Sequence, residues 1–177
     1  DDVIICETYT VNIGTTGTCR SLTINGTANY TAGVATSVGT GGVIINSGGN
    51  ITGTAAGVIT TTGGLVLNSV LTSTSVSIRT ITTPGQTISG TGSLGRLDVS
   101  INTINNGNIT VTTALLSTVA SSLTQGVSSS LTYNGNTLAP SLDASAAGNT
   151  VTYGGAAQTV KTATYHNLII NGSGIKT

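Results

Sequence analysis

The hexapeptide Gly42-Val43-Ile44-Ile45-Asn46-Ser47 returns 22 residues later as Gly64-Leu65-Val66-Leu67-Asn68-Ser69. Ser21-Leu22-Thr23-Ile24-Asn25-Gly26 precedes it at an offset of 21. An internal period of this length marks a chain whose units cannot bury an apolar face alone and must stack on their neighbours. Ile109-Thr110-Val111 lies 44 residues beyond Leu65, and Leu131-Thr132-Tyr133-Asn134 lies 22 beyond that. Val151-Thr152-Tyr153 and Leu168-Ile169-Ile170-Asn171 follow after 20 and 17 residues. Thr87-Ile88-Ser89 fills the remaining slot, with the in/out phase slipped by one residue. The spacing predicts an all-β fold, a right-handed parallel β-helix (β-solenoid) of about eight turns, each of roughly 20–22 residues. The whole chain, residues 1–177, then forms a single solenoid domain.

Composition agrees with short strands and many turns. Thr contributes 36 residues and Gly 25, whereas Pro occurs twice. Thr, Val and Ile suit the pleated surface of a strand, while Gly and Asn-Gly punctuate turns. With no Trp, Phe or Met, the interior is expected to be narrow and filled by Val, Ile, Leu and Ala. Within the first turn, Val3/Ile5, Val11/Ile13 and Leu22/Ile24 read as three strands with alternate residues inward. Val151/Tyr153, Thr159/Val160 and Leu168/Ile170 read the same way in the last. Leu22/Ile24, Val43/Ile45, Leu65/Leu67, Ile109/Val111, Leu131/Tyr133 and Val151/Tyr153 are expected to stack as adjacent inward columns. The rival arrangement is a β-sandwich, which would pair such segments antiparallel and has no need of a recurrent offset.

Asn follows the marker strand at Asn25, Asn46, Asn68, Asn134 and Asn171. Two readings stand side by side. The side chains either form a hydrogen-bonded ladder along the stack or each serves its own turn. The only cysteines, Cys6 and Cys19, are near neighbours in sequence. A disulfide between them would close a loop worth about 3 kcal/mol by chain entropy, with a pair of buried thiols as the alternative. The disulfide reading places the chain in an oxidising, exported compartment.

Charge is scarce and balanced, five Lys plus Arg against five Asp plus Glu, or 6% of the chain. That is well below the roughly one quarter common in globular domains, and it removes the basic footprint of nucleic-acid or anionic-membrane binding. No apolar run reaches the ~18 residues of a membrane-spanning helix.

The chemistry of a catalytic centre is equally thin. After Glu7 the only acids are Asp98 and Asp143. Paired carboxylates need a close partner of matched pKa, and none is evident. Asp98 beside Arg96 reads as a solvated ion pair. His166 is the lone histidine, too few for a metal site or a nucleophilic triad. No catalytic, cofactor-binding or metal-binding residue is assigned, and the chain is not expected to be an enzyme. Gly41-Gly42 and Gly63-Gly64 lack the Lys and helix of a phosphate loop and read as turns.

Three segments carry a resemblance. These are Asp2-Val3-Ile4-Ile5 … Tyr9-Thr10-Val11-Asn12-Ile13 … Cys19-Arg20-Ser21-Leu22-Thr23-Ile24, Gln86-Thr87-Ile88-Ser89-Gly90 with Leu97-Asp98-Val99, and Asn149-Thr150-Val151-Thr152-Tyr153 … Tyr165-His166-Asn167-Leu168-Ile169-Ile170-Asn171. Together they resemble the β-strand repeats of large secreted surface proteins and adhesins of Bacteroidota, including gliding-type adhesin filaments. The resemblance implies type IX export, an extracellular or cell-surface location, and a role in adhesion, matrix or motility.

The opening Asp1-Asp2-Val3 reads as a processed start or an excised piece, and Gly174-Ile175-Lys176-Thr177 stops while the pattern still runs. The expectation is therefore a segment or subunit of a longer extracellular fibre, partnered end to end by itself or by adjacent repeats. The competing expectation is a binding module that presents a flat Thr-rich face to glycan or ice. Thr60-Thr61-Thr62 and Thr82-Thr83 are its candidate residues, although Thr does not recur as a Thr-x-Thr column at offset 22. A Thr column on one exposed face would favour it.

Overall fold

The computed structural model describes residues 1–81 and 83–177, so Thr82 of the Thr82-Thr83 candidate lies outside the described residues. The chain winds through about nine turns, each offering three strand positions that stack into faces A, B and C. β1 (Asp2–Ile5) opens face A and β2 (Thr10–Ile13) opens face B. β3 (Gly17–Ile24) begins on face C and turns at Arg20 to lay its last residues on β1. β4 (Thr27–Tyr30) stacks on β2, and β5 (Ala35–Ile45) again joins faces C and A. β6 (Asn50–Thr52) continues face B, β7 (Val58–Thr61) face C and β8 (Leu65–Leu67) face A.

Face B is interrupted at the next level, where only an isolated bridge links Val70 to Ser93. β9 (Ser77–Thr80) and β10 (Gln86–Ser89) carry faces C and A onward. β11 (Thr91–Val99) and β13 (Asn108–Leu116) each run across faces B and C, with β12 (Thr103–Asn105) between them on face A. β14 (Ser122–Gln125), β15 (Ser130–Tyr133) and β16 (Thr137–Leu138) form the following turn. β17 (Ser141–Asp143), β18 (Thr150–Tyr153) and β19 (Asn167–Ile170) complete the ladders on faces A and B.

Every ladder is parallel. That pairing excludes the β-sandwich and establishes the parallel β-helix. Parallel neighbours require a long crossover between them, and here each crossover is the other two faces of the same turn.

The inward residues form one continuous core. On face A, Val3, Leu22, Val43, Leu65 and Ile88 succeed one another, with Ile5, Ile24, Ile45 and Leu67 beside them. Ile24, Ile45, Leu67 and Ile88 are fully buried. The tyrosines share this interior, contrary to a purely aliphatic filling. Tyr30, Tyr133 and Tyr153 are buried, and the last two meet edge to face at 6.2 Å.

The structure corrects the expected marker column. Leu65 stacks on Ile88, which is in phase, and Ile88 stacks on Asn105. Ile109, Leu131 and Val151 belong instead to the face B ladder, which runs from Gly92 to Leu168. The six marker pairs thus form two columns on different faces. The third strand of a turn also differs from expectation. Leu22 lies on Val3 and Leu168 lies on Val151, so each begins the next level rather than closing its own.

Turns are tightened by glycine where rungs approach. Gly42 and Gly64 both have positive φ at the corner from face C to face A. A Cβ on Gly42 would stand 2.8 Å from the Gly63 carbonyl oxygen, so the two glycine pairs are stacked turns.

Candidate functional site

The acids do not converge. Asp143 lies in β17 on face A, where Ser145 hydrogen bonds hold its carboxyl below the usual range. Asp98 lies in β11 on face C, 1% exposed. Its partner is Arg79, one rung below, whose Nε donates to Asp98 Oδ2 at 2.6 Å, and not Arg96. Ser100 Oγ donates to the other oxygen at 2.7 Å. The pair is therefore a bonded, largely buried one instead of the solvated pair expected from sequence. Stacking places the rung neighbour Arg79 about 4.8 Å from Asp98, whereas Arg96, two residues along the same strand and on the same side, lies about 6.6 Å away. Among the described residues no group of three or more His, Cys, Asp or Glu side chains stands together, and His166 sits alone before β19.

The expected disulfide is also corrected, for both Cys6 and Cys19 are free. Asp2 aligns with Ser21 and Ile5 with Ile24, so Cys6 follows the strand at the level of Asn25. Cys19 precedes Ser21 on the far side of the corner. Ser21 and Asn25 alone are separated by about 13 Å of strand, whereas bridged cysteines need Cα atoms within roughly 7 Å.

The Asn set divides between two corners. Asn46 Nδ2 donates to Asn25 Oδ1 at 2.7 Å, one rung of the ladder. Asn68 instead accepts from the Thr91 backbone at 3.4 Å. Asn134 and Asn171 occupy the corner from face B to face C, with Gly154 between them. One pair thus forms an Asn–Asn ladder step, and Asn68 reaches the backbone of the rung above it.

Two features remain that can meet a partner. The first is the pair of end faces. At the β1 end an apolar cavity of about 240 Å³ opens between Val3, Ile5, Val11, Ile13, Cys19 and Leu22. Burial in this apolar site pushes the Cys19 thiol pKa up. At the β19 end Leu168, Ile169 and Ile170 are 41%, 46% and 47% exposed. β1 and β2 each pair on one side only, as does β19.

The second is the outer side of face B. Inward Val11, Ala28, Ile51, Gly92, Ile109, Leu131 and Val151 are each flanked by two outward residues. Those flanking pairs are Thr10/Asn12, Thr27/Asn29, Asn50/Thr52, Thr91/Ser93, Asn108/Thr110, Ser130/Thr132 and Thr150/Thr152. Side-chain bonds order the array. Asn29 donates to Asn12 at 2.8 Å, Thr52 to Asn29 at 3.0 Å and Ser130 to Asn108 at 3.0 Å. None of the ten charged residues lies on the face B segments, since Arg96 and Asp98 of β11 fall on its face C part.

The Thr residues singled out from sequence lie elsewhere. Thr60-Thr61-Thr62 is on face C, and Thr61 is fully buried, donating to the Gly64 carbonyl. The missed signal was a polar-apolar-polar triplet shared by the face B segments. Rung intervals that vary from 17 residues (Ile88 to Asn105) to 23 (Leu65 to Ile88) hide it from a search at one offset. No protein-family model, no curated protein and no solved structure matches the chain.

Proposed function

We propose that this chain is a non-catalytic structural module of an extracellular bacterial surface filament or matrix fibre, joined end to end to β-solenoid turns of the same kind. The observation that carries the reading is the state of the two end faces. An interior rung of this stack hides its inward apolar residues and pairs its backbone on both sides. The terminal rungs do neither. Unpaired backbone groups and exposed Val3, Ile4, Val11, Leu168 and Ile170 are what a further parallel rung would cover. Natural sheets blunt such edges with charge, Pro or a covering element. The β1 end carries the Asp2–Arg20 ion pair, while the β19 strand has no charged residue.

The extracellular location rests on the resemblance to secreted adhesin repeats. With Cys6 and Cys19 free, the oxidising-compartment argument no longer supports it.

Sedimentation of the purified chain over a range of concentrations tests the joining. Rod-like oligomers that lengthen with concentration are expected, and Ile170→Lys should abolish them by placing a charge on the mating face. A parent chain that stays monomeric at high concentration overturns the reading.

A further inference from the structure

We infer that the outer side of face B is an ice-binding surface, whose partner is the ordered water lattice of a crystal. The inference is independent of end-to-end joining, since it uses the flank of the stack and not its ends.

Face B repeats in two dimensions. Neighbouring rungs are about 4.8 Å apart, and the two outward residues of one rung about 6.6 Å apart. From β11 through β13 and β15 to β18, four successive rungs present hydroxyl or amide groups at both positions in unbroken register. A discrete small ligand is held by a few converging groups in a concave site. Parallel rows of the same polar group instead suit a partner that is itself periodic.

The nature of the face narrows that partner. All ten charged residues lie on other faces or at corners, which disfavours an ionic mineral, a nucleic acid or an anionic membrane. No aromatic side chain points outward from these rungs, because Tyr133 and Tyr153 are turned inward and buried. A crystalline polysaccharide offers C–H faces that stack on exposed aromatic rings, and this face has none. What remains is an uncharged solid lattice of donors and acceptors, and ice is the one made of water alone.

The face is also pre-ordered. The backbones of β13, β15 and β18 are fixed by ladders on both sides, Thr is stiff about χ1, and Ser130 bonds Asn108 between rungs. Little side-chain freedom is left to lose on docking. The interruption at Val70 separates a smaller block, β2–β4–β6, from this one, and Ile169 ends the larger block at the last rung.

Partition of the purified chain between growing ice and the remaining liquid tests the inference. The parent chain is expected to enter the ice. Thr132→Tyr, at the centre of the array, should reduce incorporation by roughly tenfold or more. Thr152→Lys offers a second disruption if the first variant folds poorly. Thr124→Tyr, on an outward position of face A, should leave incorporation unchanged. Circular dichroism should be the same for all, and sedimentation of Thr132→Tyr should match the parent, which separates this test from that of the end faces. Exclusion of the parent from ice overturns the inference, as does equal loss in the face A and face B variants. Retention on microcrystalline cellulose or chitin without entry into ice also overturns it, making the partner a polysaccharide.

Discussion

The lower and upper halves of face A share one backbone ladder but fill it differently. From β1 to β8 the two inward columns are aliphatic, Val3-Leu22-Val43-Leu65 and Ile5-Ile24-Ile45-Leu67. Above β10 the ladder continues through Gln86-Thr103 and Ile88-Asn105-Gln125, and the amides are as deeply buried as the aliphatics below. They are largely bonded to one another and to backbone. Asn105 Nδ2 donates to Gln125 Oε1 at 2.8 Å and to the Ser130 carbonyl at 3.0 Å, while Thr80 and Thr103 hydroxyls meet at 2.8 Å. Two atoms are left over, Gln86 Oε1 and Gln125 Nε2. A buried unsatisfied polar atom costs about 1–3 kcal/mol. Backbone ladders therefore propagate the stack, while the side chains decide how firmly each level is held.

The largest expected effect separates the two halves directly. Leu67→Ala removes a fully buried side chain from the aliphatic column and should destabilise by about 2–5 kcal/mol. Gln125→Leu keeps the volume and removes the partnerless amide nitrogen, and Asn105 retains the Ser130 carbonyl, so it should change stability by no more than about 1 kcal/mol. Urea unfolding of the two variants makes the measurement. Equal costs would show that the amides hold the stack as strongly as leucine does.

That contrast also explains how far the sequence could be read. The period was visible in the lower half because Leu22, Val43 and Leu65 repeat one apolar motif at nearly constant spacing. Above it, Asn105 and Gln125 occupy the same column but look like turn residues, so the apolar pattern passed to Ile109, Leu131 and Val151 on another face. A period of two tells inward from outward but carries no mark of which of three faces a strand belongs to. The class of fold was therefore legible, while the assignment of strands to faces was not. The face B array was hidden for the same reason. The thiols misled by sequence proximity, which stacking converts into distance along a strand and around a corner.

Alkaline titration probes the buried phenol of the lower half. Burial pushes the Tyr30 phenol up to about 12, although its hydroxyl bonds Thr36 at 2.7 Å. The unfolded chain loses this proton near pH 10 while the folded chain keeps it, so stability is complete below pH 10 and falls as pH rises toward about 12. A shift of that size corresponds to about 3 kcal/mol. Tyr133 in the upper half is also pushed up to about 12 by burial, so the parent should lose stability from both halves. Tyr30→Phe should remove the lower contribution, leaving a shallower fall by about 3 kcal/mol across this window. Parallel pH profiles for parent and variant would show that Tyr30 is not held neutral by its surroundings.

The smallest expected effect concerns the two thiols, both in the lower half and both outside its aliphatic columns. Cys6 is exposed beyond the end of β1, and Cys19 faces the open apolar cavity at that end. Neither closes a loop, so a reductant should leave the thermal midpoint unchanged, and a thiol reagent should label both residues in the native chain. Cys6 should react first. Its exposure leaves it open to the reagent, whereas burial raises the pKa of Cys19 and keeps the reactive thiolate scarce. A bridge would behave oppositely, with no labelling until reduction and a loss of about 3 kcal/mol once the loop is opened. That outcome would require β1 to leave its register on β3, because Ile5 cannot lie on Ile24 while Cys6 reaches Cys19. The first rung of the aliphatic half would then be held by a covalent link instead of by its ladder, and the end face built on Val3 and Val11 would have to be redrawn.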